Sequence, residues 1–137
     1  MVRIIDAEGA TLGRLCTTVA KDLLEGDEIA LINVEKAVIS GKKYKIKEQF
    51  KEKRELGTYR KGPFFHRSPD KMVKRSVRGM LPYQTPRGRA ALKRLKCYIG
   101  TPDQFQDREI ESIPNAKKHH VDFITIQELS RFLGAKM

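Results

Sequence analysis

The chain has 137 residues, with 28 Lys and Arg against 17 Asp and Glu, a formal charge of +11. That length suits one domain with a core of its own, and no apolar run approaches the roughly 20 residues a membrane-spanning helix needs. A charge this far from zero speaks about partners rather than fold, and phosphate polymers are the natural match because each neutralised phosphate releases condensed counterions.

The charge is unevenly placed. Residues 1–41 hold four Lys/Arg and seven Asp/Glu, residues 42–96 nineteen and four, and residues 97–137 five and six. All the positive excess therefore lies in one central block, unlike an evenly solvated surface. Cys16 and Cys97 are far apart and neither belongs to a C-x-x-C pair. They read as small core residues in a reducing cytoplasm, not as a disulfide framework.

In chain order, V-R-I-I-D-A at Val2–Ala7 predicts a first strand, and a chain that opens on a strand carries no signal for export. Glu8 and Gly9 make a turn, and Thr11 stands where a helix N-cap belongs, its hydroxyl able to accept a free backbone N–H. Leu12, Leu15, Cys16, Val19, Leu23 and Leu24 recur at helical spacing, and Gly26 ends that helix. Glu28–Val34 predicts a second strand and Ala37–Ile39 a short third apolar run. Strand, helix and strand in so few residues make a βαβ unit with parallel strands. The near-continuous apolar second strand predicts a sheet covered on both faces.

The basic block follows. Lys42–Leu56 predicts a charged helix stopped by Gly57, and Thr58–Pro69 a loop. Asp70–Met80 predicts a helix, with Met72, Val73, Val77 and Met80 on one face and Lys71, Lys74, Arg75 and Arg78 on another. Solvated helix faces interleave acids with bases for mutual support, and this one does not, so it is read as facing phosphate. Tyr83–Gly88 is read as a turn, Arg89–Leu95 as a second basic helix, with Arg87, Arg89, Lys93 and Arg94 toward the same partner, and Lys96–Ile99 as a fourth strand. Gly79 and Gly88 leave room for another surface to approach, or serve as ordinary turn glycines. In G-P-F-F-H-R-S, Phe64 and Phe65 are read as anchors of the loop, while His66 and Arg67, with Arg60, Lys61, Lys42 and Lys43, join the candidate RNA-binding set.

Thr101–Val121 is polar and reads as irregular. Thr125–Leu133 closes the chain as a helix, with Thr125 and Glu128 as a capping box, Ile124 and Leu129 as a hydrophobic staple, and Gly134 just past its end. Catalytic signatures are scarce. Gly9–Gly13 follows a strand and opens a helix, but it lacks the middle glycine of a dinucleotide loop and the Gly-Lys-Ser/Thr of a P-loop, so a tight βα turn is the better reading. His119 and His120 are adjacent and no acidic or Cys cluster completes a metal site around them.

Four ordered segments carry a resemblance: D-A-E-G-A-T-L-G-R at Asp6–Arg14, N-V-E-K-A-V-I-S-G at Asn33–Gly41, V-R-G-M-L-P at Val77–Pro82, and R-G-R-A-A-L-K-R-L-K-C-Y-I-G at Arg87–Gly100. The chain resembles the universal large-subunit ribosomal protein L-thirteen family over most of residues 1–100, and G-P-F-F-H-R-S-P is similar to its archaeal and eukaryotic branch. The resemblance implies an α/β fold, a three-layer α/β/α arrangement with a small, mainly parallel four-stranded sheet and a basic helical flank. It also implies a non-enzymatic cytoplasmic protein of the ribosome, whose partners are large-subunit rRNA and neighbouring ribosomal proteins, with no cofactor, membrane or small-molecule substrate. Two other readings stand beside it: a regulatory RNA-binding protein outside the ribosome, and a nucleotide-dependent enzyme using the Gly9–Gly13 turn.

Overall fold

Val2–Asp6 forms strand β1, Leu12–Leu24 helix α1, and Glu28–Ile32 strand β2. The computed structural model describes residues 2–58, 60–116 and 121–135. Thr11 does occupy the N-cap of α1, but its side chain does not cap the helix. The other end is a Schellman motif. Gly26 takes φ +106°, its N–H reaches the Leu23 carbonyl at 3.1 Å, and the Asp27 N–H reaches that of Asp22 at 3.2 Å. The helix returns the chain so that β1 and β2 pair in parallel, from Val2 beside Glu28 to Asp6 beside Ile32.

Alternate residues of these strands face opposite sides of the sheet, and both sides are buried. Ile5, Ile29 and Leu31 pack with Leu15, Cys16, Val19 and Leu23 of α1. Ile4, Ala30 and Ile32 face the other way, onto Phe105, whose ring meets Tyr98 edge to face at 5.4 Å. A thick helical layer thus covers one face, and a thinner layer built on the 3-10 turn Asp103–Phe105 covers the other.

The sheet has four strands in the order β4-β2-β1-β5, where β4 is Leu95–Cys97 and β5 is Ile110–Glu111, and every pairing is parallel. The membership differs from the sequence reading. The third apolar run forms strand β3, Val38–Ser40, outside this sheet; it pairs antiparallel with β6, Phe123–Thr125, setting Ile39 beside Ile124. The fourth place is taken by β5, inside the stretch read as irregular. β2 also stops at Ile32, because Asn33 adopts a left-handed conformation (φ +54°) and Val34–Lys36 turns as a 3-10 helix. The Asn33 amide fixes that break by donating to Asp6 Oδ1 at 3.1 Å.

Helices α2 (Lys43–Glu55), α3 (Pro69–Gly79), α4 (Pro86–Lys93) and α5 (Ile126–Phe132) complete the chain. Helix α4 begins three residues earlier than the sequence reading placed it. Thr85 accepts the Gly88 N–H at 3.2 Å as an N-cap, and Pro86 fills the first helical position, where no N–H is needed. Gly88 is therefore helical, and a Cβ on it would overlap the Pro82 carbonyl; its close approach is internal to the chain. At α5, Thr125 accepts the Glu128 N–H at 3.2 Å, half of a capping box. The Glu128 carboxylate turns instead to Lys43 at 3.3 Å and Lys47 at 3.8 Å on α2. The staple pair Ile124 and Leu129 is fully buried against Ile46 of α2 and Met72 of α3, which joins β6, α5, α2 and α3 in one apolar cluster.

Candidate nucleic-acid interface

Helix α3 folds where it does because Pro69 suits its first turn, Asp70 complements the positive end of its dipole, and Met72, Val73 and Val77 bury one stripe. Met80, expected on that stripe, is 44% exposed; the chain has left the helix there, and Leu81 turns into the core in its place. The stripe directs Lys71, Lys74, Arg75 and Arg78 outward. With His66 and Leu92 they line one groove of about 190 Å³. Among the described residues, none of these cations is paired with a carboxylate. In place of acids, two of them meet rings. Arg75 lies 4.7 Å from the centroid of Phe65, and Arg78 lies 4.8 Å from that of Tyr83.

Phe65 is a loop anchor, as the sequence suggests, packing edge to face on Phe50 at 5.6 Å. Its carbonyl also accepts from Arg54 at 2.6 Å, and Lys53 stands over both rings, 4.9 Å from Phe50 and 5.6 Å from Phe65. Phe64 is no anchor. It is 63% exposed, because the two neighbouring side chains diverge and only one can reach Phe50. Sequence reasoning missed Lys53, Arg54 and Tyr83. The interleaving of aromatic and basic residues across Phe50–Arg54 and Arg78–Tyr83 was the available signal.

The remaining candidates fall elsewhere. Arg87, Arg89 and Lys93 are exposed on α4, and Arg89 donates to the carbonyls of Tyr83 (3.3 Å) and Gln84 (3.2 Å), bracing the turn before that helix. Arg94 is turned inward. Its Nη2 donates to the Leu23 carbonyl at the C-terminal end of α1, where a cation complements the helix dipole, and its Nε is buried without a partner. It is a structural side chain rather than part of the groove. Arg60 and Lys61 are exposed on a turn closed by backbone bonds between Thr58 and Gly62 at 3.1 and 2.9 Å. Arg67 is exposed and reaches the end of α5, its Nη1 lying 3.4 Å from where a Cβ of Gly134 would stand. Lys42 and Lys43 flank a separate open concavity with Tyr44, Val121, Asp122 and Phe123, and Lys43 is the one paired with Glu128.

The first half of the Gly9–Gly13 turn spends its N–H groups inside the fold. The N–H groups of Gly9, Ala10 and Thr11 donate to the carbonyls of Lys36, Ala7 and Ala116, at 3.1, 3.1 and 2.9 Å. His119 and His120 lie outside the described residues; among the described ones, no group of three or more His, Cys, Asp or Glu is placed to hold a metal. No described helix is long and apolar enough to cross a membrane. Cys16 is buried and Cys97 borders the same core. Burial pushes both thiols up to about 12, and nearby Lys74 opposes the shift at Cys97.

The family model described as Ribosomal protein L13 matches residues 1–104. "Large ribosomal subunit protein uL13" of Methanopyrus kandleri is 48% identical, covering 98% of this chain and 87% of its own. The protein of the same name from Archaeoglobus fulgidus is 47% identical, covering 96% and 86%. That of Methanocaldococcus jannaschii is 46% identical, covering 97% and 98%. These relatives extend the match through the C-terminal region, where the family model stops.

Proposed function

The chain belongs to the ribosomal protein L13 family, and from that premise we propose that it is a structural constituent of the large ribosomal subunit that holds large-subunit rRNA through its basic flank. The observation that carries this reading is the groove of His66, Lys71, Lys74, Arg75 and Arg78, free of carboxylate partners among the described residues. Unneutralised cations crowded on one face repel each other, and a phosphate backbone relieves that repulsion while releasing its own counterions. Contacts of this kind position the protein on RNA by shape and charge, without reading sequence. Lys42, Lys43, Arg60, Lys61, Arg67, Arg87, Arg89 and Lys93 are exposed and add positive charge to the flank outside the groove.

The protein works as one domain of the assembled subunit, in the cytoplasm, with neighbouring ribosomal proteins as further partners and with no cofactor or reaction of its own. Sucrose-gradient sedimentation of native lysate tests this. The protein is expected with large subunits after washes of rising salt; a position at the top of the gradient would move it to the regulatory RNA-binding reading.

A further inference from the structure

Two arginines of α3 differ from the lysines beside them in how they are held. Among the described residues, Lys71 and Lys74 meet neither a carboxylate nor a ring, whereas the Arg75 and Arg78 guanidinium groups each lie over a ring. The rings come from opposite sides of the helix in sequence: Phe65 precedes α3 and Tyr83 follows it. Phe65 is held through its ring and Tyr83 through its backbone. Phe65 is wedged on Phe50, with its carbonyl taken by Arg54. The Tyr83 N–H bonds the Leu81 carbonyl at 2.8 Å, and its own carbonyl accepts from Arg89.

A guanidinium resting on a ring uses its flat face there and keeps its N–H edge for another partner. Among the described residues, neither Arg75 nor Arg78 gives that edge to a carboxylate or a carbonyl. The two edges stand three residues apart on one helix and line the same groove. An arginine fork matches two phosphate oxygens at once, and holding it in place beforehand reduces the rotamer entropy lost on binding.

We propose that Phe65 and Tyr83 are positioning residues for RNA: they hold Arg75 and Arg78 as preorganised forks for phosphate oxygens, while Lys71 and Lys74 supply charge without fixed geometry. This rests on the rRNA-binding reading above and sharpens it. The rings contribute affinity without contributing charge. Removing one weakens binding yet leaves the number of neutralised phosphates, and therefore the salt slope, unchanged. A ring that stacked on a base, or merely packed the loop, would act whether or not its arginine were present.

The test is a pair of double-mutant cycles on the full chain, Phe65→Leu with Arg75→Ala and Tyr83→Leu with Arg78→Ala. Binding is measured over a potassium chloride series to protein-free rRNA extracted from large subunits, and to an unrelated RNA of similar length. Each ring variant is expected to weaken rRNA binding about two- to fivefold, the size of an exposed cation–π contact. Its salt slope should be unaltered, and its effect should vanish when the paired arginine is already alanine. If the ring and arginine effects multiply independently, the inference is overturned. Phe65 is half-buried and its loss can loosen the loop; Tyr83 is 38% exposed, so the second cycle decides the matter even if Phe65→Leu unfolds. Equal binding of the wild-type chain to both RNAs would remove the rRNA reading itself. Preferential binding with independent effects would remove only the positioning role.

Discussion

Arginine is used in two opposite ways in the two halves of this molecule. Near the start of β1, Arg3 is surrounded by acids: Asp22 at 3.0 Å, Asp27 at 2.8 Å and Glu111 at 2.8 Å. It ties β1 to the end of α1, the start of β2 and the short β5, and its neighbours, Glu111 foremost, hold its charge more firmly than usual. On α3 the same residue type meets rings and open groove instead. Charge neutralised inside the fold holds the chain together; charge left without acids is available to a partner. The uneven placement of Asp and Glu along the sequence sets which half does which.

Two variants would separate the halves most strongly. Leu31→Ala empties a fully buried position between sheet and helix and should cost about 2–5 kcal/mol in urea unfolding, with the salt slope of the remaining folded protein intact. Replacing Lys74, Arg75 and Arg78 together by alanine should do the reverse. The unfolding midpoint stays, and the salt slope for rRNA flattens by up to about one unit per lost phosphate contact. An unchanged slope would show that this face does not meet phosphate.

Smaller effects sharpen the same division. Gly88→Ala drives a methyl into the Pro82 carbonyl and should destabilise by about 1–3 kcal/mol, read from the thermal midpoint, because the first turn of α4 must shift. Arg3→Ala should lower stability by about 1 kcal/mol at low salt and less at high salt, since its partners are partly exposed and screened; a loss that ignored salt would argue against an ionic role. The smallest effect concerns the thiols. The folded chain keeps both thiol protons where an unfolded chain releases them near 9, so this contribution to stability is whole below that pH and declines as pH rises toward about 12. At pH 8, alkylation of Cys16 and Cys97 should be slow in the native protein and fast in urea; rapid native labelling would contradict their burial.

What could be read in advance follows from the length of each signal. Helices α1 and α3 repeat their apolar stripe over several turns, and β1 and β2 are rich in branched residues, so period alone identifies them. Strands β5 and β6 are two and three residues long, too short to show a period, and their pairing is set by residues remote in sequence. For the same reason β3 looked like a member of the main sheet. The start of α4 was hidden by Gly88, a helix breaker in sequence that proves to be the residue the first turn requires. At the site, charge clustering pointed to the face of α3. It gave no warning that Arg94 turns inward, because the Leu23 carbonyl it serves lies on another helix. Aromatic and basic residues stand close together in the sequence, but which ring supports Arg75 and which Arg78 depends on how each loop closes.

The pairing of β3 with β6 also bears on the order in which the molecule is made. Ile39 and Ile124 meet only after the whole basic block has been laid down between them. Until then Ile46 and Met72 lack the cover that Ile124 and Leu129 supply, and Lys43 and Lys47 lack Glu128. A growing chain therefore carries the charge of its basic block beside an uncovered apolar seam until α5 leaves the ribosome that is making it. Helix α5 is the latch of the flank, and it arrives after everything it covers.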